Sequence, residues 1–341
     1  MAEIGSYQKD IQQIFNKELP WSKLSGGNIL VAGATGLIGG CLVEALMVNP
    51  HRDYHVFALG RNEDRAIQRF KVFLNDSRFH FIKHDVTSPL DCNIQFDYII
   101  NAASGSAPND FSKHPVEVMK VNLWGVSNLL DYGKEHGIKR MLYISSGEVY
   151  GEGDGRTFSE DYLGYVDINS PRSCYPSAKR AAETLCAAYA DEYGIDVVIA
   201  RPCHIYGPHF TENDNRVYAQ FIRNIINNED IVLKSRGKQL RSWCYVVDCV
   251  EALLYILLKG EKGNVYNIAD NNSNITIKEF AELFAKIGGQ RVVYDFPSEV
   301  ERKVFNTVSR SVLSIEKLQS LGWIIKGSVQ QKMYHTINEC K

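Results

Sequence analysis

The 341-residue sequence lacks the cysteine pairings that a metal or redox site needs. Its eight cysteines (positions 41, 92, 174, 186, 203, 244, 249 and 340) are scattered and form no Cys-x-x-Cys pair. Neither a zinc site nor a thioredoxin-like centre is expected, and buried reduced thiols are. No excess of one charge exists either: 38 Lys and Arg against 40 Asp and Glu leave a net charge of −2. That balance gives no reason to expect nucleic acid or an anionic membrane as partner. No uncharged apolar run approaches the roughly 18 to 20 residues of a membrane span. The first residues, MAEIGSYQKDIQQIF, carry no cationic start followed by an apolar core, so they do not read as a secretory signal. Internal repeats and low-complexity stretches are missing too. These absences lead to the expectation of a soluble, cytoplasmic protein without a metal.

Apolar residues make up 45% of the chain, and the length suits a large α/β unit with a smaller appendage. Tyr7, Ile11, Ile14 and Phe15 share one helical face, which predicts a short docked helix over 7–17. After Pro20 and Gly26-Gly27, strands and helices alternate. NILVAG (28–33), HVFALG (55–60), FHFIKHD (79–85), YIINAAS (98–104), RMLYISS (140–146) and VVIAR (197–201) read as buried strands. Helices are predicted at 37–47, 63–74, 115–135, 175–193, 277–287 and 312–321, with polar loops at 209–216 and 235–242. Continuous apolar strands alternating with helices predict a parallel sheet covered on both faces. The irregular region after His204 fits a small lobe closing over the sheet.

Between the first strand and first helix lies Gly33-Ala34-Thr35-Gly36-Leu37-Ile38-Gly39. A glycine-rich turn there lets the backbone approach a pyrophosphate, whose charge is favoured at the helix N-terminus. The fold class is thus α/β, a Rossmann-type doubly wound parallel sheet, and the cofactor is NAD or NADP. The second strand ends on Gly60-Arg61, where an acidic residue would bind the adenosine ribose. Replacing a carboxylate by a guanidinium suits a 2′-phosphate and leans towards NADP. Asp85 and Val86 are candidates to hold the adenine, and Ala102 and Ala103 offer small surfaces where the cofactor must pass.

Tyr175-Pro176-Ser177-Ala178-Lys179 sets a phenol and an ammonium one helical turn apart on one face. A tyrosine acting as a base near neutral pH must lose its proton far below its usual pKa of about 10, at roughly 1.4 kcal/mol per unit. A neighbouring ammonium and a cationic nicotinamide are the natural sources of that stabilisation. Ser145-Ser146, closing the preceding strand, offers hydroxyls to orient a substrate alcohol.

These segments together resemble an extended short-chain dehydrogenase/reductase of the nucleotide-sugar epimerase/dehydratase family, from about Asn28 to Trp323. The resemblance runs through GATGLIG, HDV (84–86), NAAS (101–104), VNLWG (121–125), SSGEVYG (145–151), YPSAK, YGP (206–208), RSWCYVVD (241–248) and LGW (321–323). SEDYLG (159–164), SPRSCY (170–175) and NDNRV (213–217) are similar to the UDP-glucuronate decarboxylases, and the NDP-glucose 4,6-dehydratases are the other near branch. The resemblance implies that Tyr175 takes the proton of the sugar 4-hydroxyl, Ser146 shares its hydrogen bond, and Lys179 holds the nicotinamide ribose. It implies Glu148 as a further catalytic group, and Asn122 and Pro202 in the cofactor site. Ser104, Arg172, His204, Arg216, Arg241 and Arg310 are implied for the substrate, and a homodimer through helices 115–135 and 175–193.

It also implies domain limits: a helical extension at 1–27, a cofactor domain at 28–202 with about 240–262, and a substrate lobe at 203–239 and 263–341. Three departures bear on the reaction. Gly147 stands where dehydratases carry an acidic Asp, His204 where the family has Asn, and Val312-Leu313 where decarboxylases have Pro-Asp. The expected activity is C4 oxidation with decarboxylation. 4-Epimerisation, 4,6-dehydration and simple dehydrogenation are the enzymatic alternatives, and a cofactor-sensing scaffold is the non-enzymatic one.

Overall fold

The computed structural model describes residues 5–105, 108–296 and 308–341. Seven parallel strands form the main sheet: β1 (Asn28–Ala32), β2 (His55–Gly60), β3 (Phe79–Lys83), β4 (Tyr98–Asn101), β5 (Arg140–Ile144), β6 (Val197–Pro202) and β10 (Val265–Ile268). Their order across the sheet is β3-β2-β1-β4-β5-β6-β10. The strand order reverses between β1 and β4, and a crevice for a ligand opens outside the carboxyl ends of such strands. In β1 every residue after Asn28 is buried, as a strand covered on both faces requires.

Helices α2 (Leu37–Val48), α3 (Glu63–Arg69), α5 (Pro115–His136), α6 (Cys174–Glu192) and α8 (Val246–Lys259) cover the sheet. α2 is apolar nearly all round because it packs against both α8 and the N-terminal helix α1 (Ser6–Gln13). α1 is fixed by polar contacts: Tyr7 donates to Glu44 at 2.5 Å, and Asp10 lies 2.7 Å from His335 and accepts from the Tyr245 hydroxyl at 3.1 Å.

A smaller sheet forms beside the carboxyl ends of the main strands. Its order is β11-β9-β13, with β7 on the other edge of β9; the strands are β7 (His204–Tyr206), β9 (Leu240–Tyr245), β11 (Asp270–Thr276) and β13 (Arg310–Ser311). Helices α7 (Val217–Ile226) and α9 (Ile277–Gly288) pack on one another. α9 begins with a reciprocal cap, Glu279 N–H donating to Thr276 Oγ1 at 3.2 Å and Thr276 N–H to Glu279 at 2.7 Å.

Several expectations need correction. The helix at 63–74 ends at Arg69, because Phe70 turns into the core and packs 5.4 Å from Phe79. Of 312–321, only Glu316–Gln319 is helical. Val312 and Leu313 are extended instead: Phe158 N–H donates to Val312 O at 2.8 Å, and Leu313 N–H donates to Ser242 at 3.1 Å. The loop at 235–242 gives way to β9 at Leu240. β9, expected with the cofactor domain, lies in the small sheet, and β10, expected with the substrate lobe, pairs with β6.

The C-terminal helix, Val329–Cys340, is held by a buried ammonium. Lys332 Nζ sits 2.8 Å from Asp248 and 3.3 Å from Asp270, and only 5% of the residue is exposed. Burial pushes the Asp248 carboxyl up to about 7, so the lysine is what keeps two neighbouring carboxylates tolerable. Lys332→Ala should cost about 3–5 kcal/mol of stability by leaving them unpaired. Urea denaturation reads the loss, and an unchanged midpoint would show that the triad does not hold this helix.

Candidate active site

The cofactor turn closes tightly on the sheet. Gly33 adopts φ +77°, and a Cβ there would lie 2.6 Å from the Ala102 carbonyl carbon and the Ala103 nitrogen. One on Gly39 would lie 2.3 Å from the Gly33 oxygen. Strand, turn and helix therefore pack backbone to backbone, which is the use of glycine at such sites. At Gly36 a Cβ would meet only the Gly33 oxygen, at 3.2 Å, so this part of the turn stays open to a ligand. The donor set fits a dinucleotide pyrophosphate: open backbone around Thr35 and Gly36, with Leu37 and Ile38 opening α2 behind them. Val86 is more committed than expected, since its carbonyl accepts from Asn128 at 2.8 Å. Asn122 is buried and satisfied, accepting from Ser104 at 2.9 Å and donating to Val118 O at 2.8 Å. Pro202 ends β6, and its carbonyl lies 3.4 Å from where a Cβ on Gly147 would be.

Tyr175 and Lys179 open α6, with Pro176 in the first turn, where its missing N–H leaves no helical bond unmade. Ser146 follows β5 and caps the short turn Gly147–Tyr150 by accepting from Glu148 N–H at 3.1 Å. Lys179 is 1% exposed, donates to the Ile144 carbonyl at 2.8 Å, and lies 4.8 Å from the Tyr143 ring and 5.8 Å from that of Tyr175. The Phe111 ring stacks on Tyr175 at 4.8 Å and 19°. Arg172 rests 4.6 Å from the other partner of that stack, Phe111, and its Nη2 is 3.4 Å from Glu148 Oε2.

Electrostatics add what the spacing leaves out. Burial pushes the Tyr175 phenol up to about 12, and the Glu148 charge pushes it the same way. Hydrogen bonds from Ser146 and Ser104 and the Arg216 charge pull it down, but by less. Burial also drives the Lys179 ammonium down to about 7. In the free chain, then, desolvation outweighs the mutual help of phenol and ammonium, because both groups are sealed from water.

The substrate candidates divide into two groups. Arg241 is 3% exposed and, among the described residues, donates only to carbonyls, Leu240 O at 2.9 Å and Val308 O at 2.6 Å. Burial pulls its guanidinium down to about 10. His204 begins β7 against Trp243, with ring centroids 5.3 Å apart, and its Nδ1 is buried without a partner among the described residues. Burial, then Arg241, then Arg216 hold this imidazole neutral, its pKa down at about 3. Arg216 is paired with Asp214, Nε to Oδ1 at 2.9 Å, yet its charge still acts on both Tyr175 and His204. Arg241 and Arg216 thus both act on His204, and Arg216 also acts on Tyr175.

Arg310 stands apart, reaching Thr157 Oγ1 at 3.4 Å while its Nε is buried unpartnered. Arg61 is bound to Asp85 at 3.6 Å. Sequence reasoning missed Phe111, Tyr143 and the Ile144 carbonyl, and marked Leu313 only as a departure from the decarboxylases. Leu313 Cδ1 sits 3.3 Å from the Cβ that Gly147 lacks. Among the described residues no cluster of three or more His, Cys, Asp or Glu is arranged to hold a metal ion.

Residues 29–269 match the model of the NAD dependent epimerase/dehydratase family. The chain belongs to that family. It is 31% identical over 305 residues to UDP-glucuronic acid decarboxylase 1 of Xenopus tropicalis, covering 88% of this chain and 70% of that protein. UDP-glucuronic acid decarboxylase 6 of Arabidopsis thaliana is 36% identical over 263 residues, covering 77% and 75%. The fold is shared with UDP-glucuronic acid 4-epimerase from Bacillus cereus, solved with UDP-glucuronic acid and NAD (TM-score 0.79, 24% identity, 92% of this chain and 98% of that one). It is also shared with the DesIV dTDP-glucose 4,6-dehydratase of Streptomyces venezuelae, a double mutant solved with NAD (TM-score 0.77, 23% identity, 91% and 96%). The family member described here is an NAD(P)-dependent enzyme.

Because the Glu148 charge raises the Tyr175 pKa, Glu148→Gln should lower it. The acid limb of sugar oxidation, followed as cofactor reduction in a single turnover, should move to lower pH. A limb that stays in place would remove Glu148 from the surroundings of the phenol.

Proposed function

We propose that this enzyme oxidises C4 of a nucleotide-linked uronic acid, UDP-glucuronate foremost, and releases its C6 carboxylate as carbon dioxide. The observation that carries the reading is the buried cluster of Arg241, Arg216 and His204, whose charge reaches Tyr175 through Arg216. Arg241 has no carboxylate partner among the described residues, and with Arg216 and the neutral His204 it offers donors to a diphosphate. A bound anion would restore to Arg241 what burial takes away.

When bound, the cofactor supplies a hydride acceptor at C4, returns that hydride, and brings a positive charge to the phenol. Tyr175 takes the 4-hydroxyl proton, Ser146 orients that hydroxyl, and Lys179 adds positive charge beneath the tyrosine. Phe111 keeps water off one face of the phenol. Oxidation leaves the C6 carboxylate β to a ketone. Its C5–C6 bond then breaks, carbon dioxide leaves, and the electron pair passes into an enolate that takes a proton at C5. Glu148, held by Arg172, is positioned as the acid–base group for that proton.

Dehydration finds less support. A dehydratase needs an acid beside the leaving hydroxyl, and at Gly147 the space for one is taken by the Leu313 methyl groups. The 31–36% identity to decarboxylases agrees with the same choice. We further propose a division into the N-terminal extension, cofactor domain and substrate lobe, a cytoplasmic setting, and a homodimer built on α5 and α6. Val116, Met119 and Trp124 on α5 are exposed, Trp124 by 50%, which supports a covered face. No helix among the described residues is long and apolar enough to cross a membrane.

Mass spectrometry of the protein incubated with UDP-, dTDP-, GDP- and CDP-sugars, UDP-glucuronate among them, tests the reading. Loss of carbon dioxide from UDP-glucuronate is expected. Loss of water from a neutral hexose would overturn it, and a mass-neutral product separable by chromatography would replace it with 4-epimerisation. Tyr175→Phe should slow conversion about 100- to 10,000-fold while binding cofactor within a few fold.

A further inference from the structure

In a dinucleotide-binding sheet, the end of the second strand meets the adenosine ribose. A carboxylate there takes the ribose hydroxyls, whereas a 2′-phosphate calls for cations. Here β2 ends on Gly60, followed by Arg61, Asn62 and, at the start of α3, Arg65. The strand end has room for a side chain, since a Cβ on Gly60 would lie 3.5 Å from the Thr35 side chain, ordinary contact. The sequence leaves that room empty and places guanidinium groups beside it.

The carboxylates nearby are mostly spoken for. Asp85 Oδ1 accepts from Thr87 N–H at 2.9 Å and from Thr87 Oγ1 at 2.8 Å, and its other oxygen faces Arg61. Glu63 is held by Lys83 at 3.4 Å. Asp64 lines, with Asn62 and Arg65, a cleft of about 1060 Å³ between α1, α2, α3 and the loop after Tyr206. Among the described residues it is a rival for the ribose.

The arginines, in contrast, are underused. The Arg61 side chain is 73% exposed, and its contact to Asp85 is long at 3.6 Å. Arg65 makes no side-chain hydrogen bond or ion pair among the described residues. Its pKa is pulled down by burial and by the charge of Arg69, which outweigh the opposite pull of the Glu212 and Asp214 carboxylates. Arg69 itself is engaged, donating to Glu44 at 2.8 Å and to Gly36 O at 2.7 Å. An exposed fork on one long contact, beside a second with no hydrogen-bonded partner among the described residues, flanks an empty strand end and suits a phosphomonoester, which presents nearly two charges and three acceptor oxygens.

We infer that the adenosine end of this cofactor site, at Gly60, Arg61 and Arg65, is built for a 2′-phosphate, so that the enzyme takes NADP in preference to NAD. The inference rests on the cofactor site alone and holds whichever sugar is bound. On binding, the phosphate displaces the weak Arg61–Asp85 contact and draws Arg65 out of the cleft wall. The solved relative from Bacillus cereus carries NAD, so the two would differ in cofactor while sharing the fold.

The test is binding, not turnover. The protein is stripped of cofactor, and NAD and NADP are titrated separately by calorimetry; what the untreated protein releases on denaturation is identified by mass spectrometry. NADP should bind about tenfold or more tightly than NAD, as charge-assisted hydrogen bonds of about 1.5–3 kcal/mol imply. Arg61→Ala with Arg65→Ala should erase that advantage and leave NAD affinity within about twofold, since the uncharged ribose gains little from guanidinium groups. Gly60→Asp should reverse the preference. NAD binding as tightly as NADP, or an NADP preference that survives the double variant, overturns the inference. So does a tenfold loss of NAD affinity in Asp64→Ala, which would make Asp64 the ribose ligand. Binding of neither nucleotide would bring down the cofactor-site reading itself, an outcome distinct from a wrong sugar.

Discussion

Two backbones approach so closely at the centre of this molecule that only glycine and alanine can stand there. Gly33 is pressed against Ala102 and Ala103, and Gly39 against Gly33. Everything the active site requires follows from that approach. It brings the ends of β1 and β4 together at the point where strand order reverses. It also sets the start of α2 over the sheet edge and lets Ser104 reach both Asn122 and Tyr175. A single added methyl group at Gly33 would push against main-chain atoms, which have nowhere to go.

Desolvation is the second organising force, and it works against the charged groups it encloses. Tyr175 is pushed up, and Lys179, His204 and Arg241 are pushed down. A site so arranged is not at rest electrostatically. Each of these groups would gain from an incoming partner of the right charge or hydrogen-bonding pattern, so the same burial that disfavours the empty state favours the filled one. Protein stability forgone here reappears as affinity for ligands.

Much of the main sheet was legible in the sequence, because its strands are short, continuous apolar runs between glycine-rich turns, and parallel strands in a double-covered sheet look that way. The glycine turn and the Tyr175–Lys179 spacing were legible for a similar reason, being local patterns. What escaped was long-range or tertiary. β13 is two residues long and exists only because Leu240 lies beside Arg310. α7 and α8 also went unmarked, although both are strongly apolar. Leu313 reaching Gly147 spans nearly half the chain, and no local rule connects them. The protonation states were not legible, because spacing shows who is near whom but not how little water is left.

The N-terminal helix carries a consequence for how the protein is made. Gln8 bonds to Glu339 at 3.0 Å and Asp10 meets His335, across separations of 331 and 325 residues. α1 thus leaves the ribosome long before half of its partners exist. During synthesis its apolar face, with Tyr7 and Ile11, has only α2 and α8 to rest on, and the clasp closes when the last helix is complete.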